Sequence, residues 1–352
     1  KCLYLHDIYS YTIFKDENNS IYAGICVYEE KMDLQKRKNL RKLFTEQKTM
    51  PELFQSIPAS IFEWIAVIFL CILAAAPVWT AFPMYEEGGD LSVQTQRAIM
   101  FSSVNNSVGF TGLFMGVFLL PWTYYNLPRK PIRERIRGHG LPLFLLAMLF
   151  WSCLSCAFST NPSLSFWGDT YRQDGLISYF SYAGMFILAT QVKRKKPVRI
   201  VLNVMTAVAA LLALFCLLNI QVVNELFFIR ADTAVFSNAN HYGYYLSMML
   251  PSAVWLFMDT KGKRRILYAL EMGLLSNSLI KCHSLGPLLA VVVAMTAFLI
   301  ITFIRCRDKF RMAVFAYILI FVVLGVSSAD TWNIRADLGR TADDTKIIVK
   351  NM

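Results

Sequence analysis

Four hydrogen-bonding side chains crowd the stretch "VFSNANHYGYYL" at residues 235–246: Ser237, Asn238, Asn240 and His241. Asn and Ser both donate and accept, and His can in addition carry a proton. An apolar run to Phe257 follows at once. Asn238 or Asn240 suits the cap of the helix this run predicts, accepting from an orphan N–H group. His241 reads equally as an interfacial histidine. Arg230 lies a few residues upstream, and Arg172 stands in an earlier polar segment beside Phe166, Trp167 and Tyr171. Arginine donates a planar fork of N–H groups and keeps its charge, so it suits phosphate-like anions. Helices starting near 176 and 240 would add backbone donors and positive dipole ends.

The elements that position these residues are set by composition. Of 352 residues 56% are apolar and only 17% charged, against about 25% charged in an ordinary soluble domain. The apolar residues fall in long blocks, each near the ~20 residues that cross a bilayer as a helix. Nine blocks are predicted: 58–83, 104–125, 141–159, 176–192, 198–220, 240–258, 264–281, 285–304 and 312–328. The expected fold is an all-α polytopic membrane protein with about nine transmembrane helices. Residues 1–57 are expected to form a polar cytoplasmic segment, with a small hairpin around "KDENNS" and a basic helix. Residues 58–328 form the transmembrane domain, and 329–352 begin an external loop of a longer chain.

Net charge is +11, and its placement argues for topology rather than nucleic acid. The segments 31–48, 126–140, 193–199, 259–265 and 305–311 hold 25 of the 35 Lys and Arg. The loops between them carry one each: Arg97, Arg172, Arg230 and Lys281. This alternation is the positive-inside pattern, with contacts to anionic membrane lipids on the basic side. It predicts an N-terminus in the cytoplasm, a C-terminal tail outside, and the cluster at 237–241 on the outer face.

Other chemistry is thinly represented. Cys153 and Cys156 have CxxC spacing inside an apolar block without a second pair or a matching His, so they read as packing and no metal or cofactor is expected. No phosphate-binding glycine loop, HExxH motif or internal repeat occurs. Glu271 stands about seven residues into its block and reads as an interfacial carboxylate paired with Lys263, Arg264 or Arg265.

Three stretches resemble landmarks of the O-antigen ligase and polymerase family, in the family's order. They are "NPSLSFWGDTYRQDGL", "RADTAVFSNANHYGYYLSMMLP" and "CHSLGPLLAVVVA", while "DLGRTADDTKIIVKNM" resembles the approach to the family's large external loop. The likeness covers roughly 140–352. It implies a C-type, metal-independent membrane glycosyltransferase at the outer face of a bacterial cytoplasmic membrane. The donor it implies is an undecaprenyl-diphosphate-linked glycan, and the acceptor a glycan or lipid. It assigns the diphosphate to Arg230 and Arg172, with Asn238, Asn240, His241 and Tyr242 binding the donor or bracing the arginine. The third landmark often contains Arg; here it reads Ser284-Leu285-Gly286, and Lys281 or His283 is the substitute charge. The family's general base lies in the external loop, beyond Met352, with His241 and His283 as substitute candidates. A transporter or flippase for a lipid-linked or amphipathic substrate is the alternative class.

Overall fold

The computed structural model describes residues 49–80, 93–126, 140–169, 174–219, 229–236 and 238–331. Among them every regular element is a helix, apart from an isolated antiparallel bridge between Arg230 and Ala234. In chain order these are α1 (Met50–Ser56), α2 (Ala59–Trp79), α3 (Val93–Asn126), α4 (Gly140–Ala157), α5 (Pro162–Trp167) and α6 (Leu176–Gln191). They continue as α7 (Lys195–Leu218), α8 (Ala239–Asp259), α9 (Arg264–Lys281), α10 (Leu285–Arg305) and α11 (Phe310–Thr331), with a single 3₁₀ turn at Arg307–Lys309. The expected hairpin and basic helix before residue 49, and the tail after 331, lie outside the described residues.

Among the described residues, each of the nine apolar blocks forms a helix. Five of these helices (α2, α3, α7, α10 and α11) are long and apolar enough to cross a membrane, which makes the chain multi-pass. The other four depart for local reasons. Helix α4 is apolar but its apolar part, Pro142–Ala157, is short, and α6 has 16 residues. Helix α8 opens on Asn240 and His241, and α9 carries Arg264, Arg265, Glu271 and Lys281. Polar residues at these positions lower the apolar character without breaking the helix.

Two compact units divide the chain, one within 2–204 and one within 205–352. In the N-terminal unit α3 and α6 lie backbone to backbone. A Cβ on Gly112 would stand 2.0 Å from the Gly184 carbonyl oxygen, and one on Gly184 would stand 1.7 Å from that of Gly109. Small residues permit such an approach between membrane helices, where van der Waals packing drives association. The Ser181 hydroxyl seals the seam by donating to Asn106 Oδ1 at 2.7 Å. Helix α2 packs on this pair through Phe62 and Ala66, which share a core with Val108, Met115 and Leu188.

Glu63, in the second turn of α2, is buried at 6% exposure. Its carboxylate accepts from the backbone N–H groups of Lys193 and Arg194 at 3.0 and 2.8 Å, and pairs with the Arg194 guanidinium. The basic turn between α6 and α7 is thereby clamped to α2. In the C-terminal unit α8 is the hub, packing against α9, α10 and α11 with Tyr242, Leu246, Leu250, Ala253, Val254 and Leu256 fully buried. Asn277 of α9 donates to the Ser327 hydroxyl of α11 at 3.0 Å. At the basic end Lys309 meets Asp259 at 3.2 Å.

The α3–α6 seam leads to a stability prediction. Gly184→Val places side-chain atoms where backbone already sits, and such overpacking costs about 1–3 kcal/mol; the upper end is expected here because no flexible side chain can yield. Gly273→Ala, at a glycine with nothing within 4 Å of a new Cβ, is the matched control. Thermal unfolding in detergent, followed by near-UV circular dichroism, compares the two.

Candidate functional site

One end of the C-terminal unit gathers the finish of α7, the segment 229–236, the starts of α8 and α10, and the finish of α9. The segment is anchored by its apolar members: Ile229, Ala234 and Val235 are at most 5% exposed. Arg230 and Ala234 exchange backbone hydrogen bonds of 3.2 and 2.7 Å, and Ala234 takes a left-handed φ of 51° to close the turn. The Cys216 thiol of α7 donates to the Arg230 carbonyl at 3.5 Å. Phe236 stacks on Tyr242 and lies tilted on Tyr245, at centroid distances of 5.6 and 5.2 Å.

This backbone is fixed, and it holds the Arg230 guanidinium out toward solvent with 67% of the side chain exposed. Its partner is Asp232, with 3.5 Å between Nε and Oδ1. An exposed pair of this kind contributes about 0–1 kcal/mol, so Asp232 holds the guanidinium only weakly. The sequence reading did not include Asp232, although its place two residues after Arg230 in a short polar loop is a usable signal.

Asn238 is the cap of α8: its Oδ1 accepts from the Asn240 backbone N–H at 2.8 Å. Asn240 is therefore released from capping. Its Oδ1 accepts instead from the hydroxyl of Ser284, the N-cap residue of α10. This bond ties two helix starts together, aided by the close approach of Gly243 to Pro287, where a Cβ would lie 2.7 Å from Cγ. Two positive dipole ends thus adjoin. Nothing local in the sequence announces a contact between residues 44 positions apart.

His241 is exposed on the first turn of α8. Lys281, half-buried in the last turn of α9, complements that helix's negative end. Cys282 is buried and donates to the Ser278 carbonyl at 3.2 Å; burial pushes its thiol up to about 12. Ser284 is buried, and a Cβ on Gly286 would press to 2.6 Å from the Tyr244 hydroxyl. Tyr242 has no exposed surface, and its hydroxyl is buried with no hydrogen-bond partner among the described residues. It braces the segment from beneath and offers no surface to a ligand.

Arg172 and Ser237 lie outside the described residues. Asn161 caps α5 by accepting from the Leu164 N–H at 3.2 Å, and Cys156 donates to the Pro162 carbonyl at 3.7 Å. Glu271 departs from the expected pairing with Lys263, Arg264 or Arg265. It is 7% exposed and bonded to Thr206, whereas Arg265 turns to the Thr260 carbonyl at 3.0 and 2.7 Å. No protein-family model, no curated protein and no solved structure matches the chain.

His283 sits just past α9 with a φ of 49°, the left-handed position that glycine takes at many helix ends. A non-glycine residue costs roughly 1–2 kcal/mol there. His283→Gly is expected to raise the unfolding midpoint slightly and to leave function intact. Loss of function in a folded His283→Gly protein would assign the imidazole a chemical role.

Proposed function

We propose that this chain is a membrane glycosyltransferase of the O-antigen ligase and polymerase kind, acting at the outer face of a bacterial cytoplasmic membrane. It moves or polymerises a glycan carried on undecaprenyl diphosphate. Nine helices cross the bilayer in this reading, with the basic loops inside. The observation that carries it is the Arg230 guanidinium, displayed to solvent by a backbone-locked turn beside two adjoining helix starts. That arrangement suits a diphosphate, because fixed donors cost no reorganisation when charge develops on a leaving group.

In this mechanism the isoprenoid tail lies among the helices and the diphosphate replaces Asp232 on Arg230. The starts of α8 and α10 face the departing charge, and Lys281 adds to the positive field. Asn238, Asn240 and His241 are the polar groups for the donor sugar. A general base removes the acceptor's hydroxyl proton, and the oxygen attacks the anomeric carbon as the diphosphate leaves. A transporter is the second reading, favoured by one observation: Glu271 is buried without an ion pair among the described residues, which is frequent where polar groups serve a pathway through the membrane.

The test is transfer from an undecaprenyl-diphosphate donor by full-length protein in liposomes. A hydrogen bond to a charged group is worth ~1.5–3 kcal/mol, so Arg230→Ala is expected to lower transfer by roughly ten- to a hundredfold. Arg230→Lys recovers only part, since an ammonium lacks the bidentate fork. Asp232→Asn leaves transfer intact or raises it by freeing the guanidinium. Wild-type transfer by Arg230→Ala would remove the basis of the proposal.

Topology is tested separately, by labelling engineered cysteines from outside intact cells. Asp169→Cys is expected to react and Lys261→Cys to be spared. The reverse pattern would place Arg230 on the cytoplasmic face and end the diphosphate reading.

A further inference from the structure

Glu271 has no task in glycan transfer, yet its setting is unusual for a carboxyl group. It lies seven residues into α9, or about 10 Å from the basic end at 1.5 Å per residue. Its residue is 7% exposed. The Thr206 hydroxyl of α7 donates to the carboxyl, and Oε2 has no partner among the described residues. Helices α7 and α9 meet at two points here. Thr206 meets Glu271, and seven residues further along each helix the Ser278 hydroxyl donates to the Ala213 carbonyl at 3.4 Å.

Charge that might compensate Glu271 is engaged elsewhere or lies far along the helices. Arg199, Asp259, Arg264, Arg265, Arg305 and Arg311 all stand in the first or last two turns of their helices. Lys309 is held by Asp259, and Arg265 by the Thr260 carbonyl. Between those turns and the opposite end, the helices of this unit carry Tyr245, Tyr268 and Tyr317 as titratable side chains, with no base of opposite charge among the described residues. A carboxylate there would lack both water and a cation, at a cost of several kcal/mol. A carboxylic acid has no such requirement. A metal ion is a poor alternative, because one carboxyl and one hydroxyl fall short of the six to eight oxygens of a calcium site or an octahedral magnesium shell.

We propose that Glu271 is a proton-binding site, with Thr206 holding the carboxyl in place and water at the basic end as the source and sink of the proton. The exchange is balanced as carboxylic acid plus water giving carboxylate plus hydronium. Glu63 supplies an internal contrast. It is equally buried, at 6%, but two backbone N–H groups and the Arg194 guanidinium stabilise its charge. The two buried glutamates thus differ in their partners and not in their burial.

Dicyclohexylcarbodiimide distinguishes the two states. This apolar reagent adds the carboxylic acid O–H across its N=C bond, and the adduct rearranges to a stable N-acylurea. Full-length protein in lipid nanodiscs is treated at pH 7, and adducts are located by intact mass and peptide mapping. Glu271 is expected to react at least about tenfold faster than Glu63, since an ordinary carboxyl at that pH is protonated in well under a hundredth of molecules. Infrared spectra provide the second measurement. The carbonyl-stretch band of a protonated carboxylic acid is expected in the wild type and missing from Glu271→Gln. Equal labelling of Glu271 and Glu63, or a band that persists unchanged in Glu271→Gln, overturns the proposal. Neither readout involves glycan transfer, so it stands or falls independently of the Arg230 site.

Discussion

A peptide group in hydrocarbon has no water to bond, so the chain must satisfy its backbone within itself. That constraint governs this protein throughout. It makes a helix of every apolar block, and it forces polar side chains to find a partner or reach an end. Ser181 finds Asn106, Asn277 finds Ser327, and Ser278 finds a carbonyl of α7. Where small residues allow backbones to touch, as at Gly109, Gly112 and Gly184, close contact takes the place of the water-driven burial that packs a soluble core. Apolar side chains on the outer faces, such as Leu270, Leu289 and Val326, are well exposed, as lipid contact demands.

The two buried glutamates show how finely the constraint discriminates. Glu63 lies where a turn presents two N–H groups and an arginine, and these partner its carboxyl oxygens. Glu271 lies two helical turns from its nearest basic residues, which already serve the Thr260 carbonyl and the surface. Equal burial therefore accompanies opposite surroundings, set by partners that a burial value alone does not report.

Much of this architecture is legible in the sequence, because bilayer thickness imposes a length that apolar runs must match. The nine blocks correspond to nine helices among the described residues, with boundaries shifted by a few positions at most ends. The largest shift is at the third helix start: α3 begins at Val93, eleven residues before its block, through the polar stretch "VQTQRAIMFSS". Helix formation there needs only satisfied hydrogen bonds, whereas the block tracks apolarity. The cap at Asn238 is legible because capping is local. The bond from Ser284 to Asn240 is not, since it depends on how two helices dock. Glu271 misleads for the same reason. Spacing along one helix brings arginines near it on paper, and the actual competitor, the Thr260 carbonyl, belongs to the preceding loop.

The placement of Arg230 can be argued in the same terms. An arginine that binds an anion must be free enough to exchange partners and fixed enough to avoid losing much entropy when it does. Burial of Ile229, Thr233, Ala234 and Val235 removes the backbone freedom beforehand, and the left-handed turn at Ala234 directs the side chain outward. Asp232 keeps the guanidinium partnered through a bond that solvent renders weak. Tyr242 supports this turn through its stacking on Phe236, without any exposed surface. The polar crowding at 237–241 is tolerated because it lies at a helix start, where orphan N–H groups need acceptors and water is within reach. The cost of polar groups near a membrane is thus smallest at the position where an anion would find the most donors.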